Sequence, residues 1–204
     1  MRLRTISTAT LLALALASTF SCSRADDRAR ADSGAPATAA ADTGESAAAS
    51  AAPDSGPPPR PPAKDADQEF LRQMIDHHEG LVAMADDAME RASGAAAKAD
   101  ARRLRTAQRQ EQTRMVAFVD TIYGERVLPT MMPAHRAMTD SLRHTPPESY
   151  DREFYQLTIA HHREGVRMID QFLPRFTRPD VRQMAQQMKA QQQKEIGEFE
   201  KKKK

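Results

Sequence analysis

Met74-Ile75-Asp76-His77-His78-Glu79-Gly80-Leu81-Val82-Ala83-Met84 and Thr158-Ile159-Ala160-His161-His162-Arg163-Glu164-Gly165-Val166-Arg167-Met168 are the stretches that decide the fold. A pair of adjacent histidines sits in the first and returns 84 residues later in the second. Aligned without a gap, one face reads Phe70, Met74, His77, Leu81, Met84, Ala88 against Phe154, Thr158, His161, Gly165, Met168, Phe172. The stripe one residue over reads Leu71, Ile75, His78, Val82, Ala85, Met89 against Tyr155, Ile159, His162, Val166, Ile169, Leu173. Steps of three and four residues are the period of a helix with one apolar face. Each helix therefore has a broad apolar face with two imidazoles at its middle. An unpartnered buried imidazole costs roughly 1–3 kcal/mol, so two such pairs at matching places require partners or a ligand.

The flanking residues supply the helix ends. Asp65, with Gln68 three residues on, predicts a capped start for the first helix, and Gly94 its end. A second helix is expected from about Ala96 to Tyr123, before Gly124. Thr145-Pro146-Pro147-Glu148 opens a third long helix with Pro in its first turn and Glu148 back-capping, and Pro174 closes it. Thr177-Arg178-Pro179-Asp180 opens a fourth that runs to the C-terminus. The link from Glu125 to Thr145 has room for about two turns of helix between Pro133 and Arg143. The second and fourth helices also correspond, as Leu104, Ala107, Glu111, Met115, Phe118 against Ala185, Met188, Gln192, Ile196, Phe199. The expected fold is all-α, a ferritin-like four-helix bundle of two repeated helical hairpins over residues 65–204. A long Met- and His-containing link joins its middle helices.

Ahead of the bundle, Met1-Arg2-Leu3-Arg4 and the apolar run Leu11 to Ala17 form a signal peptide, too short to span a membrane. Cys22 follows in Thr19-Phe20-Ser21-Cys22, which resembles a bacterial lipoprotein cleavage site in which the cysteine is lipidated. Thr19 and Phe20 depart from that pattern, and ordinary signal cleavage nearby is the alternative. Residues 1–22 are assigned to the signal peptide with its lipoprotein cysteine, and 23–64 to a disordered Ala/Pro/Ser-rich tether ending in Pro57-Pro58-Pro59-Arg60-Pro61-Pro62. A lone cysteine excludes an intrachain disulfide. The net charge of +2 comes with no basic stripe or nucleic-acid motif, which excludes nucleic acid as a partner. The closing Lys201 to Lys204 read as a solvated end.

Imidazole suits copper, zinc, iron and nickel, so the neighbours of His77, His78, His161 and His162 decide the metal. A di-iron bundle requires Glu-x-x-His, and a zinc protease His-Glu-x-x-His; the chain has neither. Thioethers accompany the histidines instead: Met74 lies one turn before His77, and Met84 and Met168 two turns beyond His77 and His161. His with Met and no thiolate suits Cu(I), or Cu(II) with imidazole dominant; another divalent metal is the alternative. In the link, Met132, His135 and Met138 share one side of a helical turn. They read either as a second or completing copper site or as a lid packed on the bundle. Glu111 and Gln192 are candidates to accept an imidazole N–H and fix its tautomer, with Glu79 and Glu164 after them. His144 reads as solvent-exposed.

The segment from Met74 to Gly80, its echo from Ile159 to Gly165 and the Gln-rich closing helix from Gln186 to Phe199 resemble the domain of unknown function 305 family. That resemblance implies a ferritin-like, exported bacterial protein, with copper binding in the periplasm and copper tolerance among its relatives. The family's glycine two residues after the second histidine is Gly80 in the first repeat but is displaced to Gly165 in the second. The leading expectation is a copper-sequestering or copper-transferring protein, lipid-anchored at the cell envelope, that exchanges its ion with a copper-handling partner. A metal-dependent oxidase or peroxide-consuming enzyme on the same bundle, and a metal-free interaction module, are the alternatives.

Overall fold

Asp65 starts the first helix as a side-chain cap: its Oδ1 accepts from the Gln68 backbone N–H at 2.8 Å. Gln68 reaches back in turn, accepting the N–H of Lys64 at 2.7 Å, one residue earlier than a capping box requires. This computed structural model describes residues 60–204; the signal peptide, Cys22 and the tether through residue 59 lie outside the described residues. Helix α1 spans Ala66–Arg91, α2 Ala95–Tyr123, α3 Pro133–His144, α4 Pro147–Phe172 and α5 Pro179–Phe199. A 3-10 turn, Leu173–Arg175, ends α4 at Pro174. Between α1 and α2, Asp151 takes the N–H groups of Ser93 and Gly94 at 2.9 and 2.7 Å, pinning that turn to the start of α4. Gly124 ends α2 at φ 65°, a left-handed conformation that glycine adopts at no steric cost. Pro opens α3, α4 and α5; the back-cap expected from Glu148 is not made, and no side chain caps α4.

Helix α1 packs on α2, α4 and α3, and α4 packs on α5 and α3. The long neighbours run antiparallel. Tyr123 bonds Asp65 across α1 and α2, Lys189 pairs with Asp170 across α4 and α5, and Phe70 meets Phe172 while Tyr150 bonds Asp87 across α1 and α4. The apolar core lies in two parts. One gathers Phe70, Met74, Ile75, Met115, Phe172 and Phe176; the other gathers Leu81, Met84, Leu104, Tyr150, Phe154 and Phe199. Between them lies a buried polar layer that includes His77, His78, Gln108, Gln112, Thr158, His161, His162, Gln192 and Glu195.

The buried positions of α5 correct the expected match between the second and fourth long helices. Val181, Ala185, Met188, Gln192 and Phe199 are buried, and counting back by the interval that separates the His pairs gives Ala97, Ala101, Leu104, Gln108 and Met115, all buried. Glu111 therefore corresponds to Glu195 and not to Gln192. A slip of three residues stays on nearly the same helix face, so apolar pattern alone does not detect it.

Two further expectations change. The end of the tether is ordered: Arg60 forks onto Asp76 at 2.7 and 2.8 Å, and the Pro61 carbonyl accepts from Arg72 at 2.7 Å. The lysine tail is not wholly solvated, because Lys202 bonds Asp100 at 2.6 Å and lies over the Tyr155 and Phe199 rings. Among the described residues no helix is long and apolar enough to cross a membrane. Asp65 both caps α1 and accepts the Tyr123 hydroxyl at 2.7 Å, so Asp65→Ala is expected to cost about 1–2 kcal/mol of stability in urea unfolding.

Candidate metal centre

Three helices bring one imidazole each to the polar layer: His77 from α1, His135 from α3 and His161 from α4, all fully buried. One ring nitrogen of each lies within 4.8 Å of the others. Ring centroids are 3.8 Å apart for His77 and His161, 4.8 Å for His77 and His135, and 4.7 Å for His135 and His161. Two glycines allow this convergence. A Cβ at Gly80 would stand 2.5 Å from the Cβ of His135, so α3 seats its histidine on α1 only because residue 80 has no side chain. A Cβ at Gly165 would stand 3.1 Å from His77 Cε1 and would overlap the Gln192 amide oxygen. The displaced glycine thus has a physical reason: Gly80 makes room for α3 and Gly165 for α5.

Hydrogen bonding orients the rings. His161 Nε2 donates to the His77 carbonyl at 2.9 Å, which leaves its Nδ1 as a lone-pair donor. His135 Nε2 lies 3.2 Å from Glu164 Oε2, which likewise frees Nδ1. His77 makes no aligned bond through either nitrogen. Nδ1 of His135, Nδ1 of His161 and both nitrogens of His77 are therefore buried without a hydrogen-bond partner. Such orphans are rare in folded proteins because each costs about 1–3 kcal/mol. Three converging imidazoles, two of them fixed by a bond through Nε2, match the donor set and outer bonding of a metal site.

Burial, followed by repulsion from His78, His135 and His162, holds the His77 imidazole well below its ordinary pKa; a contact with the His161 backbone pulls the other way. Burial and the neighbouring His77, His135 and His162 do the same to His161. Both rings are neutral at neutral pH, the protonation state a metal ligand requires.

The second histidine of each pair faces elsewhere, because adjacent helix residues point about 100° apart. His78 Nε2 lies 2.9 Å from Glu111 on α2, and His162 Nε2 lies 2.9 Å from Glu195 on α5. The His162 contact is an ion-pair distance without an aligned hydrogen bond. Glu195 is also held by Arg103 at 2.6 Å and Gln191 at 2.9 Å. Burial raises the proton affinity of its carboxyl, but His162, Gln191 and Arg103 outweigh it and leave the pKa low. The four paired histidines accordingly do not face one another as a single cluster; His77 and His161 join His135, while His78 and His162 turn to carboxylates.

Among the other residues singled out in the sequence, Glu164 meets an imidazole, whereas Glu79 pairs with Arg109 and Gln112 instead. Gln192 is buried against Gly165, and Glu195 takes the imidazole role assigned to it. Met74 and Met168 lie in one apolar core and Met84 in the other. Met132 is the half-buried residue before α3, and Met138 packs against the second core. His144 is exposed, its Nδ1 on the Asp140 carbonyl at 2.7 Å. Glu195 and Arg103 were not legible as site residues, although Glu195 stands at the histidine interval from Glu111 and that signal was present.

The domain of unknown function (DUF305) model matches residues 18–119 and 121–202, and each matched stretch contains one His-His pair. The chain belongs to the DUF305 family. A DUF305 fragment from Deinococcus radiodurans is 26% identical with a TM-score of 0.61, covering 70% of this chain and 98% of that one. CopM in its Cu(II)-bound form is 26% identical with a TM-score of 0.58, covering 66% and 93%; CopM is also solved in Cu(I)-bound and Ag-bound forms. A putative secreted DUF305 protein from Streptomyces coelicolor, 24% identical with a TM-score of 0.59, shares the fold over 66% of this chain and 88% of its own. No curated protein sequence matches the chain.

The depressed proton affinities of His77 and His161 set a pH dependence. Below about pH 6.5 the unfolded chain binds protons that the folded chain does not. The metal-free protein is therefore expected to lose stability as pH falls from about 6.5, by up to about 1.4 kcal/mol per pH unit for each ring, until the folded-state values are passed. Urea midpoints between pH 7.5 and 5 measure this; a flat profile contradicts it. Gly80→Ala is expected to keep the helical signal while lowering the melting temperature by several degrees, because His135 must move away.

Proposed function

We propose that this DUF305 protein binds copper at His77, His135 and His161 and works by holding and releasing the ion, not by turnover. The observation that carries this reading is the convergence of three buried imidazoles, each with at least one ring nitrogen that has no protein partner. Neutral imidazoles without thiolate suit Cu(I) and Cu(II), and the bundle CopM is solved with Cu(I), Cu(II) and Ag. In this reading Glu164 and the His77 carbonyl hold the tautomers of His135 and His161 behind the ion. Met132, Met138, Met74, Met84 and Met168 are candidate thioether ligands during loading and release, and His78 and His162 remain candidates through their carboxylate pairs. In this reading the N-terminal signal exports the protein and a lipidated Cys22 anchors it at the cell envelope; the similarity to a putative secreted protein of the same fold supports export. A tether of that length lets the bundle work some tens of ångströms from the membrane and meet a copper-handling partner.

Titration of the full-length protein with Cu(I), Cu(II), Ag(I) and Zn(II) under chelator competition tests the proposal. His77→Ala, His135→Ala and His161→Ala are each expected to weaken copper binding by about 100-fold or more, and Glu164→Gln by about 10-fold. His144→Ala is expected to change nothing. If the triple alanine variant keeps the copper stoichiometry and affinity of the parent, the assignment is wrong.

A further inference from the structure

The three imidazoles are fully buried, so an ion can reach or leave them only if one wall of the site moves. Helix α3 is the wall with the least holding it. It has 12 residues, near the length at which an isolated helix is marginal, and along it only His135, Thr139 and Leu142 are buried. Its place is set largely from its two ends. At the C-terminal end, Arg91 donates to the carbonyls of Leu142, Arg143 and Thr145 at 3.3, 2.5 and 3.1 Å. At the other end the link enters α3 through a second clasp. The Thr130 N–H donates to Asp76 Oδ1 at 2.9 Å, and Arg60 forks onto the same carboxylate while donating to the Leu128 carbonyl at 2.8 Å.

We infer that Arg60 and Asp76 are positioning residues of the His77–His135–His161 site, latching the link between α2 and α3 so that α3 keeps His135 against the other two rings. Arg60 touches none of the three imidazoles in this arrangement; it acts through Asp76 and Leu128. The bidentate geometry makes the clasp stronger than a single exposed ion pair, and its two carboxylate contacts and one carbonyl contact converge on one guanidinium. Arg60 precedes the bundle, on the segment that leads back toward the N-terminus. A partner or force that displaces this segment therefore loosens the histidine-bearing helix without touching the site. The consequence for metal release rests on the copper reading above; the latch itself does not.

Hydrogen exchange of the metal-free full-length protein tests the latch separately from the metal. Arg60→Ala is expected to speed exchange across residues 128–144 by about 5-fold, with α1 unchanged and Arg60→Lys intermediate. Lys189→Ala, which breaks an ion pair with Asp170 on α4 and α5, is expected to leave that segment as it is. In chelator competition Arg60→Ala is expected to release copper about 5-fold faster than the parent. Exchange across 128–144 within about twofold of the parent overturns the latch, whatever the metal result. Faster exchange in a protein that binds no copper upholds the latch and removes the copper reading instead.

Discussion

A layer of imidazoles, amides and carboxylates cuts across the middle of a helical bundle, and the rest of the structure accommodates it. An apolar slab there would add hydrophobic stabilisation, whereas a polar one costs free energy at every unpaired atom. The fold meets that demand from the outside inward. Glu111 and Glu195 meet His78 and His162, the His77 carbonyl takes His161, and Glu164 takes His135. Nitrogens of His77, His135 and His161 are among those left without a partner. The two apolar cores on either side supply the stability that lets such a layer persist.

The two halves answer one another closely until α3 intervenes. His78 with Glu111 and His162 with Glu195 repeat at one interval and one distance, 2.9 Å. Yet Glu195 is buried and held by Arg103 and Gln191, while Glu111 is half-buried at the rim of a groove between α2 and α5. Among the described residues helix α3 has no counterpart, and it contributes the third imidazole, so the centre is asymmetric although its first two members are related by the repeat. The glycines follow from that asymmetry, each removing a side chain where a different neighbour must approach.

Burial acts on these histidines in two ways. It drives His77 and His161 toward the neutral form, which readies the rings for a metal and makes the metal-free bundle sensitive to acid. It also shuts the site from solvent, so the kinetics of exchange pass to the element that seals it. That element is short, held at its C-terminal end by Arg91 and, through the link that enters it, by Arg60 on the segment that precedes the bundle.

The sequence by itself determined the helices, the Asp65 cap and the prolines that open them, the bundle class and the importance of the paired histidines. Local chemistry and helical period are written residue by residue, and the family resemblance carried by His77-His78-Glu79-Gly80 agrees with them. It also contained the interval that relates Glu111 to Glu195, but a slip of one turn keeps apolar residues on the same face, and Gln192 took the place of Glu195. Only the tertiary structure decided that each histidine pair divides, one ring to the centre and one to a carboxylate. Only it brought His135 across from the link as the third member, fixed the purpose of Gly80 and Gly165, and ordered Arg60 against Asp76. Those outcomes depend on which helix lies over which face. That is set by the packing of side chains far apart in the chain, and no local pattern encodes it.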